Sequence, residues 1–153
     1  MSEQRATRRW GQSLIAVFLG MVTVVALSVG ADMAAQAAGW FSSPHTPDQA
    51  PQFIVAAIYR AAFTLLGGYV TARLAPDRPM GHAWILAGIG LIAGMAGLIA
   101  YWQSAPELGP AWYAISIPAS AAPCTGAGAY LWVRQLRQRS LATATAQQFQ
   151  NQG

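Results

Sequence analysis

Arg60 is the residue of this chain that most demands a chemical explanation, because it lies inside the otherwise uncharged run from Phe53 to Ala72. A guanidinium at the centre of a membrane helix costs around 2.5–3.5 kcal/mol on the insertion scale, less where it snorkels to the surface or meets an acid. Its position about seven residues into the run puts it roughly 10 Å below one end at ~1.5 Å per residue. Three acids fall near that end: Asp32 after the first apolar run, Asp48 and Glu107. The expected ion pair is Arg60 with Asp32, and Glu107 is the second candidate. Such a pair can act as an anion or proton site at the mouth of a helical bundle, or as a structural staple holding two helices in register. The staple is the preferred reading.

Other reactive side chains are sparse. Cys124 is the only cysteine and sits within an apolar run, which leaves no partner for an intramolecular disulfide and argues against a thiolate metal site. His82 has only Asp77 and Met80 as sequence neighbours able to ligate a metal, and His45 stands alone among prolines, so both read as interfacial or solvent-facing histidines. No HExxH, GxSxG, phosphate-cradling glycine loop or paired carboxylates occur. The expectation is therefore a protein that is not an enzyme, with no catalytic residue, cofactor or metal. A proton-coupled exporter of the small four-helix kind is expected to carry a carboxylate near mid-span, and no Asp or Glu lies there.

The elements that must hold Arg60 follow from composition. The chain of 153 residues is 54% hydrophobic and 9% charged, far from the ~25% charged residues of an average soluble protein. Uncharged runs at Leu14 to Ala31, around Arg60, at Ala83 to Trp102 and at Ala111 to Val133 each approach the roughly 20 residues that cross a ~30 Å hydrocarbon core. The expected fold is all-α: an integral membrane four-helix transmembrane bundle with spans at about 12–33, 53–74, 81–102 and 111–136. Residues 1–140 form one membrane domain, and 141–153 read as a polar, disordered tail. The first run is longer than the apolar region of a signal peptide, so a retained helix is preferred to a cleaved leader, although Ala34-Ala35-Gln36-Ala37-Ala38 has the small residues of a cleavage site.

Small residues predict where these helices touch. Gly67 and Gly68 sit in the second span beside Ala57, Ala61, Thr64 and Thr71, while Ala87, Gly90, Gly94 and Gly97 recur on one side of the third. Gly90 and Gly94 form a GxxxG motif, which favours close helix packing within the chain or with a second copy. Pro118 and Pro123 fall inside the fourth span, where each removes a backbone donor and predicts a kink or helix break. Gly39, Pro44, Pro47 and Pro51 predict a long first connection from Ala31 to Gln52.

All nine basic residues are arginines, and the net charge is +4. Arg5, Arg8 and Arg9 precede the first run, Arg73 and Arg78 lie between the second and third, and Arg134, Arg137 and Arg139 follow the fourth. The connections between first and second and between third and fourth carry none. That alternation excludes a nucleic-acid patch and predicts a bacterial inner (cytoplasmic) membrane protein with both termini and the Arg73–Arg78 turn cytoplasmic. Trp10, Tyr69, Trp84 and Trp132 then form the inner aromatic belt, and Tyr101, Trp102, Trp112 and Tyr113 the outer one.

The hairpin from Gly67 to His82, with its Gly67-Gly68-Tyr69 end of one span, the Arg73–Arg78 turn and His82 opening the next, resembles uncharacterised small four-helix membrane proteins of bacteria. The resemblance implies the same four-span fold and brings no activity with it. The expected partners are the lipid bilayer and either a second copy, through the Gly90/Gly94 face, or another membrane protein. The expected role is a structural or interaction component of the membrane. The alternative is a small-solute transporter or channel using Arg60 and the Pro118/Pro123 break.

Overall fold

The computed structural model describes residues 2–40, 50–104 and 109–150. They form four helices: α1 (Ser2–Ala37), α2 (Ala50–Leu74), α3 (Pro79–Ser104) and α4 (Ala111–Gln150). Three of them contain stretches long and apolar enough to cross a membrane, Trp10–Ala37, Pro51–Leu74 and Pro79–Gln103.

Several boundaries differ from expectation. The Ala34–Ala38 stretch continues α1 instead of starting a loop, because alanine is the strongest helix former. The helix closes in a Schellman motif, with Gly39 at φ 72° and the amides of Gly39 and Trp40 donating to the carbonyls of Gln36 and Ala35, both at 2.9 Å. Pro51 opens α2 within its first turn, where a missing N–H has no helical partner to lose. Residues 41–49, with His45, Pro44, Pro47 and Asp48, lie outside the described residues.

The tail expected to be disordered is helical to Gln150. Alanine and glutamine favour helix there, and the hydroxyls of Ser140, Thr143 and Thr145 donate to the carbonyls of Leu136, Arg139 and Leu141 at 3.0 Å. Nor do the prolines break α4, which runs unbroken through Pro118 and Pro123. Ser116 and Ser120 donate to the carbonyls of Tyr113 (2.7 Å) and Ile117 (3.0 Å) of the same helix.

The bundle packs as a ring in which α2 contacts both α1 and α4, and α4 also contacts α3, while the α1/α3 seam is sparse. Its interior is made of small side chains. Ala16, Ala56, Ala72, Ala83, Ala87, Ala121 and Ala129 are buried, with Phe53 and Leu86 as the larger exceptions, whereas Leu14, Phe18, Ile58, Ile85 and Ile92 face outward. Large apolar groups outside and small ones inside suit a chain whose solvent is lipid and whose helices gain by backbone proximity.

Glycine sets that proximity. A Cβ on Gly68 would strike the backbone of Thr125, one on Gly128 the backbone of Leu65 and Tyr69, and one on Gly20 the Thr71 side chain and the Gly67 carbonyl. Gly67 in turn faces Val24 and the Gly20 carbonyl. On α3, a Gly94 Cβ would lie 3.0 Å from the Pro118 Cα, and one on Gly90 3.6 Å from the Ala121 Cβ. The GxxxG face thus meets α4 of the same chain, at Pro118 and Ala121. Gly97, expected to pack with them, meets nothing within 4 Å, because it lines the cavity described below.

At the end holding the α2–α3 turn, Met80 and Trp132 pack on the Ala72, Ala83 and Ala129 core. The Trp132 ring receives the guanidinium carbons of Arg73 at 5.6 Å and Arg139 at 5.9 Å, and Tyr69 stands edge-on to it while donating to Gln135 Oε1 at 2.9 Å. Arg73, predicted only as an orientation signal, therefore also ties α2 to α4, while Arg139 packs on Trp132 within α4, each contact contributing about 0.5–1 kcal/mol where exposed.

Substituting Gly68→Ala or Gly128→Ala is expected to separate α2 from α4 and lower unfolding stability in detergent by about 1–3 kcal/mol, whereas Gly97→Ala is expected to be neutral or slightly stabilising. The buried Thr71 Oγ1 has no hydrogen-bond partner. Thr71→Val keeps its branched shape and removes that unmet group, so thermal unfolding should show unchanged or higher stability, in contrast to a bulky change at Gly20.

Candidate functional site

Arg60 sits on α2 and Asp32 near the end of α1, and the two side chains form an ion pair through Nη2 and Oδ2. Tyr59 donates to the other carboxylate oxygen, Oδ1. Both acceptor atoms of Asp32 are therefore engaged from one turn of α2, which fixes α1 against it. The pair is partly buried, with Arg60 31% and Asp32 27% exposed. On the opposite side the Tyr113 ring of α4 lies 6.0 Å from the guanidinium carbon, and Phe53 tilts against Tyr113 at 5.2 Å between centroids. The Arg60 Nε is buried without a partner. Glu107, the second candidate acid, lies outside the described residues.

The pair lies at one end of a cavity of about 530 Å³ lined by residues from all four helices. Val25 and Val29 of α1, Leu86 and Gly97 of α3, and Ile117 of α4 give it an apolar wall, while Ser28 and Thr64 add hydroxyls near the Asp32 end. Thr64 donates to the Arg60 carbonyl at 2.8 Å. Gly109 and Pro110 line the cavity beside the pair, and Tyr101 holds this α3–α4 connection by donating to the Gly109 carbonyl at 2.9 Å. A volume of this size, mostly apolar with a few convergent polar groups, has the dimensions of a small-molecule site.

No protein-family model, curated protein or solved structure matches this chain. The site must be read from its own geometry.

Of the residues singled out in the sequence, the structure brings together Arg60 and Asp32 and sets Gly90, Gly94 and Gly97 along the cavity wall. Pro118 is buried against Gly94, and Pro123 is exposed on α4. His82 belongs to the turn: its Nδ1 lies 3.3 Å from the Arg78 carbonyl, which also accepts the Gly81 amide at 2.8 Å. The turn stores backbone strain, since Arg78 takes a left-handed φ of 47° before Pro79. Among the described residues no three His, Cys, Asp or Glu side chains gather as metal ligands.

Tyr59 and Tyr113 were missed as site residues. Tyr59 adjoins Arg60 in sequence, so it was open to notice as a second donor, but Tyr113 was legible only as an interfacial aromatic until α4 was set beside α2.

A double-mutant cycle checks the pair. Asp32→Leu and Arg60→Met are each expected to destabilise the bundle, the combined variant less than their sum, with a coupling of about 0.5–3 kcal/mol. Tyr59→Phe should produce a smaller loss that vanishes in the Asp32→Leu background.

Proposed function

We propose that this chain is a four-span protein of the bacterial cytoplasmic membrane, with both termini cytoplasmic, that binds a small lipophilic molecule in the cavity beside the Asp32–Arg60 pair. The observation that carries this reading is the cavity itself: a mostly apolar space of about 530 Å³ with the Asp32–Arg60 pair at one end.

Support for the fourth span comes from packing. The first part of α4 lies against α2 at Gly68/Thr125 and against α3 at Gly94/Pro118, so it shares their depth, and its serine hydroxyls are bonded to its own carbonyls. Support for the orientation comes from the arginines, which cluster at the N-terminus, the Arg73–Arg78 turn and the segment after Val133, and are absent from the other two connections. In that frame the Asp32 end is the outer one.

A purely structural or partner-binding role through the Gly90/Gly94 face has less support, because those glycines are used inside the chain. A channel has less support because α4 is continuous and offers no break to line a path. Binding requires neither a free glycine face nor an open pore, and no covalent step is part of the proposal.

Native mass spectrometry of the protein released from nanodiscs, with small-molecule extraction in parallel, tests the reading. The expected result is a stoichiometric bound mass that Gly97→Phe removes by filling the chamber while the melting temperature stays unchanged. A protein that carries no ligand, and whose behaviour toward added lipophiles Gly97→Phe does not alter, would overturn it.

A further inference from the structure

The cavity beside Asp32 and Arg60 does not end at mid-bundle. A second groove of about 520 Å³ lies between α1 and α3 at the other end, between Trp10 and His82. Met21 of α1 and Ile89 of α3 line both spaces. The two compartments thus adjoin at these two residues, which form the neck between them. Along α1 the seam runs from Trp10 to Asp32, about 33 Å at 1.5 Å per residue, close to the ~30 Å of a bilayer core.

This shape restricts the occupant. A transmembrane helix, about 10 Å across with its side chains, is too wide for spaces of this volume. A compact lipophile would fill one compartment and leave the other unexplained. A single extended hydrocarbon chain is long and thin, and it matches both, since the walls contacting it (Val25, Leu86, Ile89, Met21, Val17, Phe18) are apolar throughout.

The head of such a molecule is set by charge. Asp32 and Arg60 together carry no net charge, and both carboxylate oxygens are taken by Tyr59 and Arg60. A guanidinium has five N–H donors, more than Asp32 accepts, and the Arg60 side chain keeps 31% of its surface exposed. The site therefore holds surplus donors without surplus positive charge. A neutral carbonyl accepts from those donors without adding charge, whereas an anionic head would compete with Asp32 and leave a net negative charge in a medium of low dielectric constant.

We infer that the ligand is a single-chain lipid with a neutral, carbonyl-bearing head, seated with its head at Asp32–Arg60 and its chain along the α1/α3 seam, past Met21 and Ile89, into the second groove. The inference rests on the binding reading proposed above and adds the class and pose of the ligand.

Monoacylglycerols carrying a photoreactive diazirine at the chain terminus test it on the full-length protein in nanodiscs. The palmitoyl probe is expected to label partly buried Val17, just past Met21, saturably, and to be competed by unlabelled palmitoyl monoacylglycerol. Labelling of lipid-facing Ile92 should rise linearly as the background. An octanoyl probe, too short to pass the neck, should label saturably only on the Asp32 side of Met21. Closing the neck with Met21→Trp and Ile89→Trp should weaken the palmitoyl probe about tenfold and leave the octanoyl probe unchanged.

If both chain lengths respond alike to the neck variants, or neither responds, the extended pose is overturned while the binding site itself stands. If palmitate or a headless hydrocarbon probe saturates the seam as tightly as the monoacylglycerol, the head assignment is overturned. If no probe saturates above the Ile92 background, the binding reading falls as well.

Discussion

The constraint on which this structure depends is the approach of backbone to backbone between α2 and α4. Gly68 faces Thr125 and Gly128 faces Leu65 with no room for a Cβ on either side. In lipid, burying apolar area between helices gains little over leaving it against acyl chains, so association must come from close packing. That crossing brings Tyr113 beneath Arg60 and places α4 where Pro118 can meet Gly94 on α3. Pulled apart there, the chain would lose the wall of its cavity along with its tightest seam.

A second constraint acts at the Asp32 end. An arginine within an apolar helix needs compensation, and it receives a carboxylate from the neighbouring helix and a flanking aromatic ring. The same contacts hold α1 in place on α2, yet α1 meets α3 only lightly. One helix is thus secured along one edge and loose along the other, and the cavity and groove occupy the loose edge. Staple and binding site, set out as rival readings of Arg60, are compatible, because the pair can fix α1 and still present unused donors to the chamber it closes.

Much of the architecture was legible in the residues. Helix number followed from apolar run lengths, and the Arg60–Asp32 pairing followed from the scarcity of acids near the buried arginine. The partner of the GxxxG face was not legible, because a small-residue stripe says that something comes close without saying what. Gly20, one of two glycines in the first span, gave no periodic signal, although it sets the α1/α2 distance opposite Thr71. The run of α4 through its prolines and out to Gln150 was also hidden. Local rules penalise proline in a helix, whereas the buried packing of Pro118 against Gly94 outweighs that penalty here. The cavity lay beyond sequence reasoning altogether, since it arises from a mismatch between one tight seam and one slack one.

The alanine-rich interior has a mechanical corollary. Alanine and glycine have no rotamers to exchange, so a bundle cored by them cannot absorb strain by reshuffling side chains as a leucine-filled core can. Any change in interior volume must be met by displacement of entire helices as rigid rods. Resistance to such displacement is greatest where glycines interlock and least between α1 and α3, which makes that seam the natural axis of compliance of the fold.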